Sequence, residues 1–220
     1  MERELDPYEE TVDILDPGTY EKTGIIKTRR QAHLSGDWIG TFNLWLVKRY
    51  PKPSIIYQLR AFDSGWSPGL LDVTAGGHYM AGETINDGLR EVEEELGKTY
   101  PFESLIYLGK KIYMRNDENW KLRYLVDVFL LEDNEPLSSY RPAPDELAGL
   151  FLCPIEDLIK LHKGEIDEFH VVGRQYDGSG YQDCNYKVKK DSFPFNVDGY
   201  HLKVALLARR YFNDESLLVY

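Results

Sequence analysis

The residues of this chain best placed to do chemistry are Glu91, Glu94 and Glu95. They stand at i, i+3 and i+4, so a helix over this stretch puts all of them on one face. Leu89, Val92 and Leu96 fall on the opposite side and supply the face that buries it. Carboxylates crowded on one helix face repel one another, so the arrangement calls for a cation. Magnesium is the expected ion, with manganese as its substitute, because hard divalent ions prefer carboxylate oxygen. Ahead of the helix, Gly77 and Gly82 fit a tight loop whose backbone can approach a metal or a ligand. The run Glu93-Glu94-Glu95 alone would read as a solvated acidic face; Gly77, Gly82, Glu83, Arg90 and Gly97 around it set the stretch apart.

Together these residues resemble the Nudix box, in which a glycine, five residues, a glutamate and seven further residues precede Arg-Glu-apolar-x-Glu-Glu-x-Gly. Gly77, Glu83 and Arg90-Glu91-Val92-Glu93-Glu94-Glu95-Leu96-Gly97 occupy its positions. Only six residues, Thr84 to Leu89, separate Glu83 from Arg90, and Lys98 stands where the box closes on an apolar residue. The shortening is expected at the loop–helix junction, because the register from Arg90 onward is intact. The resemblance implies a Nudix-type α/β/α sandwich around a mixed sheet, and hydrolysis of a diphosphate by a metal-assisted, positioned water. It also implies roles. Glu91, Glu94 and Glu95 are expected metal ligands, with the Gly77 carbonyl beside them. Glu91 is alternatively the base, and with Glu94 and Glu146 it makes up the expected catalytic set. Glu83 either orients Arg90 or reaches a second metal, and Arg90 is expected to pair with Glu83 behind the metals. Enzymes of this kind often carry one more carboxylate on a late loop. Glu146, ahead of Leu150-Phe151-Leu152, is the expected one, and Glu118 is its rival.

The rest of the sequence must build the frame that presents these groups. Strands are expected at Thr11–Asp16, Phe42–Val47, Ser54–Arg60, Leu71–Thr74, Leu105–Leu108, Ile112–Met114, Leu122–Leu131 and Leu150–Cys153. Thr28–His33 reads as a helical turn, Pro154–His162 as a helix with proline in its first turn, and Tyr200–Phe212 as a closing helix. Thr84 is the expected N-cap of the box helix. Phe169–Tyr176 and Cys184–Lys189, around Asp177-Gly178-Ser179-Gly180, read as a hairpin that would lie over the site. No repeat or linker is evident, so the expectation is one domain over 1–220, with a core at about 25–165 and a carboxy-terminal hairpin-plus-helix extension. Arg60 ends a strand beside the glycine loop, within reach of a phosphate, and His78 is expected to line the substrate site. His33 is read as a structural histidine.

The residues ahead of the box narrow the resemblance. Asp13-Ile14-Leu15-Asp16, Ala32-His33, Leu44-Trp45-Leu46-Val47, Pro68-Gly69-Leu70-Leu71-Asp72 and Gly77-His78 follow in an order similar to Nudix proteins close to isopentenyl-diphosphate isomerases. Those isomerases need groups this chain lacks. Gly76 stands at the place of their catalytic cysteine, Ile39 or Asn43 at that of a second metal histidine, and Lys121-Leu122-Arg123-Tyr124 at that of a Glu-x-Glu pair. The expected activity is therefore hydrolysis of a diphosphate linked to another moiety, such as a nucleoside diphosphate derivative. An isomerase-like enzyme and a non-catalytic nucleotide-sensing module are the alternatives.

Composition agrees with a globular enzyme. The chain has 220 residues, 42% hydrophobic and 29% charged, and a net charge of −11. That charge argues against nucleic acid or an anionic membrane as the main partner, whereas a bridging cation admits a small-molecule diphosphate. Cys153 and Cys184 show no metal-ligand or redox spacing and read as reduced thiols of a cytoplasmic protein. The start, Met1 to Asp6, is too acidic for a signal peptide. Assembly as a homodimer is compatible with the sequence.

Overall fold

The computed structural model describes residues 8–195 and 198–215, so the acidic start lies outside the described residues. β1 (Thr11–Leu15) and β2 (Lys22–Thr28) form a separate antiparallel ribbon, followed by α1 (Arg29–Ser35). β3 (Ile39–Lys48), β4 (Ser54–Arg60), β5 (Leu71–Asp72) and β6 (Ala75–His78) lead to the box helix α2 (Leu89–Leu96). β7 (Ile106–Asn116), β8 (Lys121–Glu132) and β9 (Leu147–Pro154) precede α3 (Ile155–Lys163). The hairpin β10 (Glu168–Tyr176) and β11 (Tyr181–Lys189) and the helix α4 (Tyr200–Phe212) complete the chain.

The long apolar runs take the middle of the sheet, where both faces are covered. Its order is β11-β10-β9-β4-β3-β8-β7, with β5 paired to β4 and β6 to β3. β3 and β8 run parallel from Ile39 beside Tyr124 to Val47 beside Glu132, and the other pairings are antiparallel, so the sheet is mixed. Side chains alternate along β3. Phe42, Leu44 and Leu46 pack with Val92 and Leu96 of α2. Trp45 and Val47 face the opposite layer, with Leu158 of α3 and Val204 and Leu207 of α4. This is the expected α/β sandwich with its hairpin-plus-helix extension.

Several local expectations differ from the structure. The two short strands expected at 105–108 and 112–114 are one strand, β7, carried past Gly109 by an irregularity in its register with β8. β2 and β6 were not expected. Ala75-Gly76-Gly77-His78 has little strand propensity, and its pairing with Thr41–Leu44 of β3 imposes the extended form. The hairpin does not roof the cleft. It adds to the sheet edge through Gly173–Gln175 beside Gly149–Phe151, because β9 offers an open edge there. Both cysteines are free thiols, Cys153 being buried. Among the described residues no helix is long and apolar enough to cross a membrane.

Candidate active site

Three elements meet at the site: the end of β6, the exposed face of α2 and the loop that precedes β9. The shortened junction ahead of α2 is taken up by a 3-10 turn, Ile85–Gly88. Thr84 opens this turn rather than α2 itself, and its N–H and hydroxyl both donate to the Asp87 carboxylate at 2.7 Å. Gly88 lies flat against Phe42, where a Cβ would come within 2.4 Å of the ring. Gly97 ends α2 at φ 62°, donating its N–H to the Glu93 carbonyl.

Glu91 and Glu95 turn inward from α2, whereas Glu94 stays half-exposed. The Glu91 carboxylate rests on the backbone of Gly77 so closely that a Cβ there would lie 2.2 Å from its carboxyl carbon. Glu95 is 5% exposed, and its Oε2 accepts the N–H of Gly76 at 3.0 Å. Burial pushes the Glu91 pKa up to about 7 against the pull of Arg90, with the charges of Glu94 and Glu146 adding to the rise. Burial also holds Glu95 well above the usual carboxylate range, helped by the charges of Glu91 and Glu146.

Arg90 sits among these acids rather than only behind them. It donates to Glu83 at 3.1 Å, to Glu91 at 2.9 Å and to Glu94 at 2.6 Å. Glu83 also accepts the N–H of Met80 at 2.7 Å, so the shortened junction leaves the Glu83–Arg90 pair intact. With Arg90 so placed, no group of three His, Cys, Asp or Glu side chains among the described residues is spaced as a metal cage. The donor set nevertheless fits a divalent ion. Glu91, Glu94, Glu95 and Glu146 line one cleft, in which acidic side chains outnumber the arginines. The glycine at 77 leaves the room in which the Glu91 carboxylate lies against β6.

The cleft, about 680 Å³, gathers the other expected residues as well. Glu146 lines it from the loop before β9, fixed by its own carbonyl accepting the N–H of Ala61 at 2.8 Å. Its rival Glu118 lies on the exposed β7–β8 turn and does not line the cleft, whereas the neighbouring Asp117 does. Arg60 lines it too, with its guanidinium donating to the Trp66 carbonyl at 2.7 Å and to the Ser64 hydroxyl at 2.9 Å. His78 faces Arg29, whose guanidinium lies 3.3 Å from its Nδ1, and burial holds the imidazole pKa well below its usual value. His33 is buried against Tyr124, with 3.2 Å between hydroxyl and Nε2.

The positions where an isomerase needs acid–base groups hold none. Gly76 has no side chain, Ile39 is fully buried in the core, and the Asn43 amide donates to the Tyr200 hydroxyl at 2.9 Å. The structure adds Arg29, Lys111, Arg115 and Tyr200 to the lining of the cleft and its neighbouring cavity, none of which stood out in the sequence. They come from α1, β7 and α4, elements far apart in the chain, and no spacing rule links them to the box.

Comparison with known proteins gives the family and the fold. The NUDIX domain family model matches residues 24–174. A Nudix hydrolase of Clostridium acetobutylicum is 30% identical over 207 residues, covering 91% of this chain and 97% of that protein. Nudix hydrolase 3 of Arabidopsis thaliana is 29% identical over 154 residues, covering 68% of this chain but 20% of that longer protein. A crystal structure from Deinococcus radiodurans shares the fold, with a TM-score of 0.50 at 20% identity over 68% of this chain and 86% of that one. Box, fold and relatives agree: the chain belongs to the Nudix family of hydrolases.

Proposed function

We propose that this chain hydrolyses a diphosphate linked to another moiety, such as a nucleoside diphosphate derivative, with magnesium as cofactor and manganese able to replace it. The observation that carries the reading is the meeting of Glu91, Glu94 and Glu95 from one helix with Glu146 from a separate loop in one cleft, beside Gly77. Glu91, Glu94 and Glu95, with the Gly77 carbonyl, would hold the metal. When bound, such an ion neutralises phosphoryl oxygens and lowers the pKa of water.

The chain's own residues do the rest. Glu146 faces Glu91 and Glu95 across the cleft and is the base assigned to take the proton of the attacking water. Arg60, held by Trp66 and Ser64, presents its guanidinium to a phosphate oxygen. His78 lines the substrate side of the cleft. Glu83 keeps Arg90 from swinging away, and Arg90 holds Glu91 and Glu94 in place, the carboxylates that would take the metal.

A panel of nucleoside diphosphate sugars, dinucleotides, nucleoside triphosphates and prenyl diphosphates tests the reading. The expected result is release of a phosphate-containing fragment from at least one of them, abolished by chelation and restored by magnesium. Deuterium exchange from solvent into isopentenyl diphosphate would overturn it in favour of isomerisation. Tight nucleotide binding with no turnover of any compound would favour a sensing module.

A further inference from the structure

Past Gly76 and Gly77 the cleft opens into a smaller cavity of about 190 Å³, with Tyr200 of α4 among its walls. Lys111 of β7 lines it and is 5% exposed. Its sequence neighbour Lys110 is paired with Asp127 at 2.6 Å. The Lys111 ammonium makes no salt bridge and donates no hydrogen bond among the described residues. What it has instead are ring faces, with Nζ 3.9 Å from the Tyr200 centroid and 5.2 Å from that of Tyr113. Burial pulls its pKa below the usual lysine value, while the charges of Asp198 and Asp72 act the other way.

An ammonium that meets ring faces and no acceptor keeps its donors available to a group entering the cavity. The cavity around it is cationic in a chain whose net charge is −11. Arg60 and Arg115 line it as well, the latter stacked over Trp66 at 4.5 Å, and Asp72 is the acid among its described lining residues. Arg60 and Arg115 stand where cleft and cavity meet, the glutamates of α2 lie on the cleft side, and Lys111 lies on the cavity side.

We infer that this cavity is a second subsite, in which Lys111 receives an anionic oxygen, a carboxylate or phosphate, carried by the group attached to the diphosphate. The inference rests on the hydrolase reading above and narrows its substrate class to diphosphates bearing a further negative charge on the attached moiety. Lys111 is a specificity residue here, remote from the reacting phosphorus.

Matched pairs of compounds test it: uridine diphosphate glucose with uridine diphosphate glucuronate, NAD with NADP, and dephospho-coenzyme A with coenzyme A. Each pair differs by one carboxylate or phosphate outside the diphosphate. Hydrolysis is measured with magnesium, and binding with calcium in its place. The anionic member of at least one pair should be favoured by about tenfold or more, in kcat/KM or in Kd. In Lys111→Met that advantage should fall to about one. Equal treatment of both members in every pair, or an advantage that survives in Lys111→Met, overturns the subsite. Failure of the hydrolase reading has a different signature: no pair is split, yet a binding preference exists and Lys111→Met removes it. The melting temperature separates out a packing role. Lys111→Met removes a buried charge and should melt no lower than wild type, whereas a drop of more than about 4 °C assigns the lysine to holding Tyr200 and overturns the inference.

Discussion

Glu95 is held to β6 by the backbone, its Oε2 accepting the N–H of Gly76 at 3.0 Å. This bond leaves Oε1 as the oxygen that Glu95 would offer a cation. Glutamine at 95 retains a carbonyl acceptor for Gly76 but loses the charge. Glu95→Gln should therefore fold normally, while magnesium affinity and turnover fall together by about 10²-fold or more. The magnesium-induced rise in melting temperature should shrink with them. An unchanged rate and magnesium dependence would remove Glu95 from the ligand set.

The pH dependence of stability should report Glu91. Its pKa is about 7 in the folded protein, above the unfolded value near 4.5. A group raised in this way stabilises most below the unfolded pKa, and that contribution is lost as pH rises through the folded one. Metal-free Glu91→Gln should accordingly gain on wild type between pH 4.5 and 7, by about 1 kcal/mol per pH unit, as read by urea unfolding. Magnesium should narrow the gap at pH 8. A gap independent of pH would mean that Glu91 ionises freely.

Glu146 and Glu118 are distinguished by kinetics. Glu146 lines the cleft and Glu118 does not, so Glu146→Gln should lower kcat by about 10²-fold with a smaller change in KM. Glu118→Gln should behave as wild type. The reverse pattern would put the base on the β7–β8 turn.

Gly77→Ala asks whether the closeness of Glu91 to β6 matters. The added methyl would meet the Glu91 carboxyl carbon at 2.2 Å, while Gly77 is not among the glycines with positive φ. The backbone should therefore tolerate alanine, and the carboxylate must move. Stability should drop by about 1–3 kcal/mol, and turnover should fall by about tenfold or more. A fully active variant would show that the contact has no part in catalysis.

Two histidines where α3 meets α4 should make that layer sensitive to acid. His162 and His201 stack at 5.7 Å, and burial pushes their pKa values down to about 4 and about 3. Groups lowered in this way leave stability intact above the unfolded pKa of 6.5 and withdraw it as pH falls toward the folded values. The His162 Nε2 has no hydrogen-bond partner among the described residues, so phenylalanine can replace the ring. His162→Phe should gain on wild type by about 1.4 kcal/mol per pH unit from pH 6.5 down to 4, measured by urea unfolding. Parallel curves for the two proteins would refute it.

The metal face was legible in the sequence because helix periodicity is local: Glu91, Glu94 and Glu95 are spaced for one face whatever the tertiary context. The position of Glu146 was legible only through the family pattern, since its partners Glu91 and Glu95 come from a different element. Arg29 and Lys111 were not legible. Lys111 follows Gly109-Lys110 in a stretch whose polarity reads as a break between strands, and only the pairing with β8 carries the strand through. β6 was hidden for a related reason, because long-range pairing overrides the weak strand propensity of its glycines.

The parallel alignment of β3 with β8 bears on how the molecule comes into being. Ile39 meets Tyr124, and Val47 meets Glu132, across a span that includes the whole box. Contacts so distant along the chain slow the search for the native state, because loop-closure entropy is lost before burial compensates. During synthesis, β3 emerges well before β8 and must wait with one apolar edge uncovered. The early chain is therefore most exposed to aggregation in the interval before residue 132 has left the ribosome.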